Sequence, residues 1–212
     1  MNTYPRARKQ SGAYMAGYAY DVHPYVLMNY NEALLLERML KAASSDDERV
    51  YYLGHALENL RGTFFRQAMF AEFERRIHAA VDAGQSLTAE QLSKDYCALL
   101  KRYHGVAEGV ISIDDNYCVE WAYIPHFYSS FYVYQYATAI AASSLSAERV
   151  VNGERGALER YLDLLRAGGS NDPYELVKAA GVELASPAPY QSLVARMNRI
   201  MDEIETILAR RG

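Results

Sequence analysis

The sequence predicts a mainly α-helical protein with one small β-hairpin near its N-terminus, on three observations. From Asn31 onward apolar residues recur at helical spacing. That pattern is punctuated by stop signals at Gly84, Gly105, Gly168 and Gly181. Residues 11–30 lack the pattern: they are rich in Tyr, Val and Gly, with Asp21 to Pro24 as turn chemistry between two short apolar runs. The 212 residues suffice to bury roughly 70% of the unfolded surface, and 1–212 reads as a single domain, with 1–30 as strand pair and cleft edge and 31–212 as the helical portion.

Taken in order, the strand pair offers an edge to which an extended peptide could add. His23, before a proline, is biased toward extended backbone. At Asn31 the pattern turns helical without a loop: Leu34, Leu35, Leu36, Met39 and Leu40 form a broad apolar face, and Asn31 is the one cap candidate. Ser44 to Asp47 close that helix and cap the next. Residues 48–83 read as one long or two stacked helices, with Gly54 and Gly62 as kinks. Thr88 and Gln91 make a capping box for a helix ending at Tyr103 or His104. An irregular acidic connection, 106–123, contains Asp114, Asp115 and Glu120.

Ile124 to Ser144, IPHFYSSFYVYQYATAIAASS, is the stretch the chain is organised around. Pro125 suits a first helical turn, His126 sits at its mouth, and Tyr128, Tyr132 and Tyr136 at i, i+4 and i+8 line one face. Such a stripe can donate hydrogen bonds to a polar ligand, or serve as core or groove lining. Helices over 154–167, from Asp172 and Pro173 to Gly181, and from Ser186–Pro189 to Arg210 follow. The last buries Leu193, Met197, Ile200, Ile204 and Ile207.

The charge balance excludes some functions. A net charge of -4 provides no field for nucleic acid or an anionic membrane, and no apolar run reaches membrane-spanning length. Two cysteines without a paired motif, Cys97 and Cys118, fit reduced, buried thiols and a cytoplasmic location. The same-face pairs His55/Glu58 and Glu74/His78 read as solvated pairs rather than metal ligands. Tyrosine, with 19 residues, is the compositional outlier and suggests a polar-tipped aromatic groove.

The words SGAY, HPYVLMNYN, NEALLLERML, LRGTFFRQAMFAEFE, EWAYIPHFY, FYVYQYAT and NDPYELVKAAGVELASP together resemble the C-terminal half of the oligoendopeptidase F group, bacterial relatives of thimet oligopeptidase. The resemblance covers nearly the whole chain. It implies part of a mostly helical zinc peptidase domain that cuts short peptides in a deep cleft. It also implies that His126, Tyr132 and Tyr136 face the zinc and stabilise the oxyanion, and that His23, Tyr25 and Tyr128 line the substrate channel.

The chain departs from the family at one place. Members carry, between the MNYN and NEALLLE words, a helix with H-E-x-x-H and a second helix supplying a glutamate ligand; here the words are fused as MNYNEALLLE. Zinc hydrolysis needs two histidines one helical turn apart, a third ligand and a glutamate base. None of His23, His55, His78, His104 and His126 lies in that motif. The expectation is therefore no zinc on this chain, no catalysis by it alone, and retained affinity for short peptides. The alternative is a non-catalytic interaction module or internally deleted product, self-associating through apolar surface that the missing helices would cover.

Overall fold

The computed structural model describes residues 12–210, with side chains from Val26 onward except Leu27. Every regular element among them is helical: α1 (Gly12–Ala42), α2 (Asp46–Leu60), a π segment (Arg61–Phe65), α3 (Arg66–Asp82) and α4 (Ala89–Tyr103) come first. Two 3₁₀ segments (Asp115–Tyr123 and Pro125–Tyr128) follow, then α5 (Tyr134–Val151), α6 (Ala157–Ala167), α7 (Pro173–Ala179) and α8 (Ala188–Ala209).

The mainly helical reading holds, but the hairpin is absent from the described residues. Helix α1 runs through both the Asp21–Pro24 turn signal and the Asn31 cap signal. The reason is periodicity: Val26, Tyr30 and Ala33 are buried at i, i+4 and i+7, with Leu40 two turns further, which is a helical stripe and not a strand's alternation. β-propensity of Tyr and Val is weak wherever packing decides otherwise. Pro24 removes one helical hydrogen bond inside α1, at a cost of about 3 kcal/mol, and the stripe that follows offsets it.

The chain divides into two compact units, Met1–Arg61 with Thr138–Gly212, and Gly62–Ala137. In the first, α5 contributes Ala139 and Ala142 to a core with Val26, Leu164, Leu176, Val177 and Val182, the small alanines allowing close helix approach. Tyr30 and Tyr161 stack with ring centroids 3.6 Å apart, and the Tyr161 hydroxyl donates to Asn31 Oδ1 at 3.0 Å. The buried Tyr30 hydroxyl makes no hydrogen bond with a described residue; burial, with Tyr161 beside it, pushes its pKa up to about 12. Helix α8 buries Leu193, Ile200 and Ile207 of its expected stripe, while Met197 and Ile204 are half-buried. Arg49 pairs with Glu203 of α8 and donates to the Leu40 carbonyl at 2.7 Å, satisfying an end of α1. Ser45 caps α2 by accepting from the Glu48 amide at 3.2 Å.

The second unit packs Met69, Phe70 and Phe73 of α3 against Tyr96, Leu99 and Leu100 of α4, with Ile124 and Val133. Thr88 caps α4 as its spacing predicts, accepting from the Gln91 amide at 3.2 Å. Gly105 ends the helix at φ +66, where an added Cβ would come within 2.9 Å of a Val110 methyl. The acidic connection is held as a strap along one face of α4, because Ser93, Cys97 and Lys101 recur every four residues. Trp121 Nε1 donates to Ser93 Oγ at 3.1 Å and Lys101 pairs with Asp115 at 2.6 Å. Tyr96 donates to Glu120 at 2.5 Å, and Glu120 also pairs with Arg66. Cys97 and Cys118 form a disulfide across the same face. The expectation of free thiols is thus overturned: a separation of 21 residues hides a pairing that the strap creates, and the cysteines give no argument for a reducing compartment.

Beyond α7, Glu183 accepts from Tyr174 at 2.5 Å, from the Ala185 amide at 3.0 Å and from Lys178 at 3.2 Å. These donors, Tyr174 foremost, hold its carboxyl at about 2. A depressed carboxylate pKa contributes stability that is present above the ordinary carboxylate range and is lost as pH falls through the depressed value. The melting temperature should therefore drop as pH is lowered from about 4 to about 2. Glu183→Gln should show a shallower drop in thermal denaturation followed by circular dichroism; an unchanged slope would contradict this.

Candidate functional site

The Ile124–Ser144 stretch does not form one helix. Its first four residues after Ile124 make a 3₁₀ turn, Pro125–Tyr128, and α5 begins only at Tyr134. Between them Phe131 takes φ +57, a left-handed conformation that costs a non-glycine residue roughly 1–2 kcal/mol. The predicted i, i+4, i+8 stripe is therefore broken, and Tyr128 is 87% exposed, apart from the other two tyrosines.

Three of the predicted residues are nevertheless brought together within the second unit. The His126 imidazole stacks on the Tyr132 ring at 5.5 Å and meets Tyr136 edge-on at 6.1 Å. The Tyr136 hydroxyl donates to the Tyr132 hydroxyl at 3.1 Å. His126 is exposed and both tyrosines are half-buried, so the cluster has a solvent-facing side. Chained hydroxyls polarise one another, so each bond strengthens the next donor. The arrangement suits hydrogen-bond donation to an anionic or carbonyl oxygen. The side chains of His23 and Tyr25 lie outside the described residues.

The residue that holds this geometry is one the sequence reading passed over as half of a solvated pair. Glu74, on α3, is only 2% exposed. Its Oε1 accepts the Phe131 amide at 2.6 Å, and the His78 ring, one turn along α3, lies 4.5 Å from the Phe131 ring. Burial is the main influence on the Glu74 carboxyl and raises its pKa, while the Phe131 amide and His78 pull it down. Glu74 and His78 are thus two contacts on one strained residue. The available signal was Glu74's position between Phe70, Phe73 and Ile77, on an apolar face where an unpaired carboxylate would be costly.

The donor set for a catalytic zinc is not found. Among the described residues, the one group of three His, Cys, Asp or Glu with ligand atoms close together is Cys97, Asp115 and Cys118, and both its cysteines are committed to the disulfide. His126 has aromatic neighbours rather than a second and third ligand. The residues described do not fit the metal.

The model of peptidase family M3 matches residues 30–195. The chain belongs to peptidase family M3. It is 35% identical to Oligopeptidase PepF of Bacillus subtilis, over 98% of this chain and 37% of that protein. It is 39% identical to the plasmid-borne Oligoendopeptidase F of Lactococcus lactis subsp. cremoris, over 87% of this chain and 32% of that protein. The crystal structure of oligoendopeptidase-F from Enterococcus faecium superposes with a TM-score of 0.82 at 36% identity, covering 91% of this chain and 38% of that one. The chain thus spans about a third of the length of the curated relatives it matches. The alignment with the Bacillus family member extends over 253 positions against 212 residues here, so at least 41 positions of that relative have no counterpart in this chain.

The Glu74 contact makes a prediction with a defined sign. A carboxyl whose folded pKa is raised favours the protonated form, so its contribution to stability falls as pH rises through the ordinary carboxylate range toward the raised value. Glu74→Gln keeps an acceptor for Phe131 and removes the buried charge; its stability at neutral pH should equal or exceed that of the parent. Glu74→Leu orphans the amide and should cost about 1–3 kcal/mol. Urea denaturation of both variants checks this, and equal losses in the two would refute it.

Proposed function

We propose that this chain is the oxyanion side of an oligoendopeptidase F-type site without its metal side, catalytically silent on its own and retaining affinity for short peptides. The observation that supports this best is the His126–Tyr132–Tyr136 cluster, assembled in a chain whose sequence has no H-E-x-x-H. In a peptidase the Tyr132 hydroxyl, polarised by the hydrogen bond it accepts from Tyr136, would donate to the carbonyl oxygen as it becomes tetrahedral, an interaction typically contributing about 3–4 kcal/mol in other enzymes. With no ligand set to activate water, that stabilisation has no nucleophile to act on. The same donor can still bind the carbonyl of an intact peptide, with His126 orienting Tyr132 by stacking. Tyr128 and, by resemblance, His23 and Tyr25 are assigned to the peptide channel. Zinc, which the resemblance associates with the family, has no place in this reading of the chain, and a cytoplasmic location is part of the same proposal.

A second reading, association through apolar surface, draws on the exposed Val110, Ile111, Tyr117, Tyr123 and Tyr128, all within one stretch of the second unit. It makes the chain a self-associating module with no peptide ligand.

A quenched fluorescent peptide, incubated with the purified chain plus zinc and, in parallel, plus chelator, separates these readings from a working enzyme. No turnover in either arm is expected, together with saturable peptide binding by fluorescence anisotropy. Tyr132→Phe should weaken that binding by about 0.5–1.5 kcal/mol. Chelator-sensitive cleavage would overturn the proposal, and a large oligomer that binds no peptide would favour the second reading.

A further inference from the structure

The first unit contains a cavity of about 410 Å³ whose walls come from α1, α2, α5 and α8, at the small end of the range for ligand pockets. It shares no residue with the His126 cluster. Its charged lining is largely paired. Glu203 is engaged by Arg49, and Glu148 accepts from Arg199 at 3.1 Å and from Ser192 at 2.5 Å.

Arg196 and Glu37 remain. Arg196 donates one long hydrogen bond, 3.3 Å, to Ser144 Oγ, and makes no ion pair with a described residue. Glu37 lines the same cavity and makes no hydrogen bond or ion pair with a described residue. The two interact through space: burial pushes the Arg196 pKa down, and the charge of Glu37 is the foremost influence opposing it. A guanidinium has five donors in a planar fork that matches a carboxylate. Holding it half-desolvated on a single neutral partner is unfavourable unless something supplies the missing acceptor.

The composition of the wall narrows what that something is. A phosphate or other dianion would face the carboxylates of Glu37, Glu148 and Glu203, and a divalent cation would face Arg196. A molecule with one negative and one positive end satisfies both unpaired groups at no net charge. The remaining wall includes Leu40, Leu53 and Ile200, which favours an apolar body between the two ends.

We infer that this cavity binds a small zwitterion with an apolar side chain, a free α-amino acid or a dipeptide, its carboxylate on Arg196 and its ammonium on Glu37. The site shares no residue with the His126 cluster and stands whether or not the reading of that cluster does.

Isothermal titration calorimetry of the full chain with leucine and with leucyl-leucine tests it, using leucinamide and N-acetyl-leucine as partners lacking one charge each. The expected result is saturable binding of at least one zwitterion, the tighter of the two fixing the size. Both singly charged analogues should bind at least about tenfold more weakly, as should Arg196→Met and Glu37→Gln for the zwitterion, a loss of about 1.4 kcal/mol or more. Arg196→Lys should retain part of the affinity. Should Arg196→Met fail to fold, Glu37→Gln decides, because it breaks no hydrogen bond or ion pair with a described residue. No heat from either zwitterion up to about 10 mM, or binding that Glu37→Gln leaves unchanged, would overturn the assignment.

Discussion

The geometry of the candidate site depends on one hydrogen bond, from the Phe131 amide to the buried carboxyl of Glu74. Phe131 alone among the described non-glycine residues has a positive φ. That bend turns the chain out of the 3₁₀ segment carrying His126 and into the helix carrying Tyr136. Without that acceptor the strained Phe131 would also lose its hydrogen bond to a buried carboxyl, and the two penalties would add. The carboxyl is itself costly to bury, so the contact represents a compromise in which one desolvated group fixes the positions of three others. The strap on α4 supports the same result from the other side: Ser93, Cys97 and Lys101 anchor the segment that leads directly to His126.

The chain belongs to peptidase family M3, and its fused MNYNEALLLE word carries no H-E-x-x-H. The parts of the cluster are held by protein contacts. The His126–Tyr132 stack, the Tyr136–Tyr132 hydrogen bond and the Glu74–Phe131 bond all lie within one compact unit. In the other unit helix α1 runs unbroken through the fused word, where Tyr30 and Asn31 both contact Tyr161.

Much of this was legible in the sequence. The capping residues Ser45 and Thr88, the stop at Gly105 and the buried stripe of α8 obey local rules, and local rules can be read from residue spacing. Four features could not be read that way. The helix over 12–30 leads into a buried stripe that includes Val26 and Tyr30, whereas Tyr and Val composition pointed toward strands. The bend at Phe131 depends on a residue 57 positions away, so helical spacing suggested one continuous stripe through Tyr128. The Cys97–Cys118 bond depends on a strap with no secondary-structure signal. The Arg196–Glu37 cavity exists only because four helices meet there. His126, Tyr132 and Tyr136 were found by resemblance and the structure brings them together, although by a turn and a bend rather than on one helix face.

The central claim is that the tyrosine cluster keeps its geometry without a metal half, through Glu74. Nuclear Overhauser spectroscopy of the aromatic protons tests this most directly. Cross-peaks between the His126 imidazole and the Tyr132 and Tyr136 rings are expected in the metal-free chain, retained in Glu74→Gln and lost in Glu74→Leu. Their absence from the parent chain, or their persistence in Glu74→Leu, would contradict it.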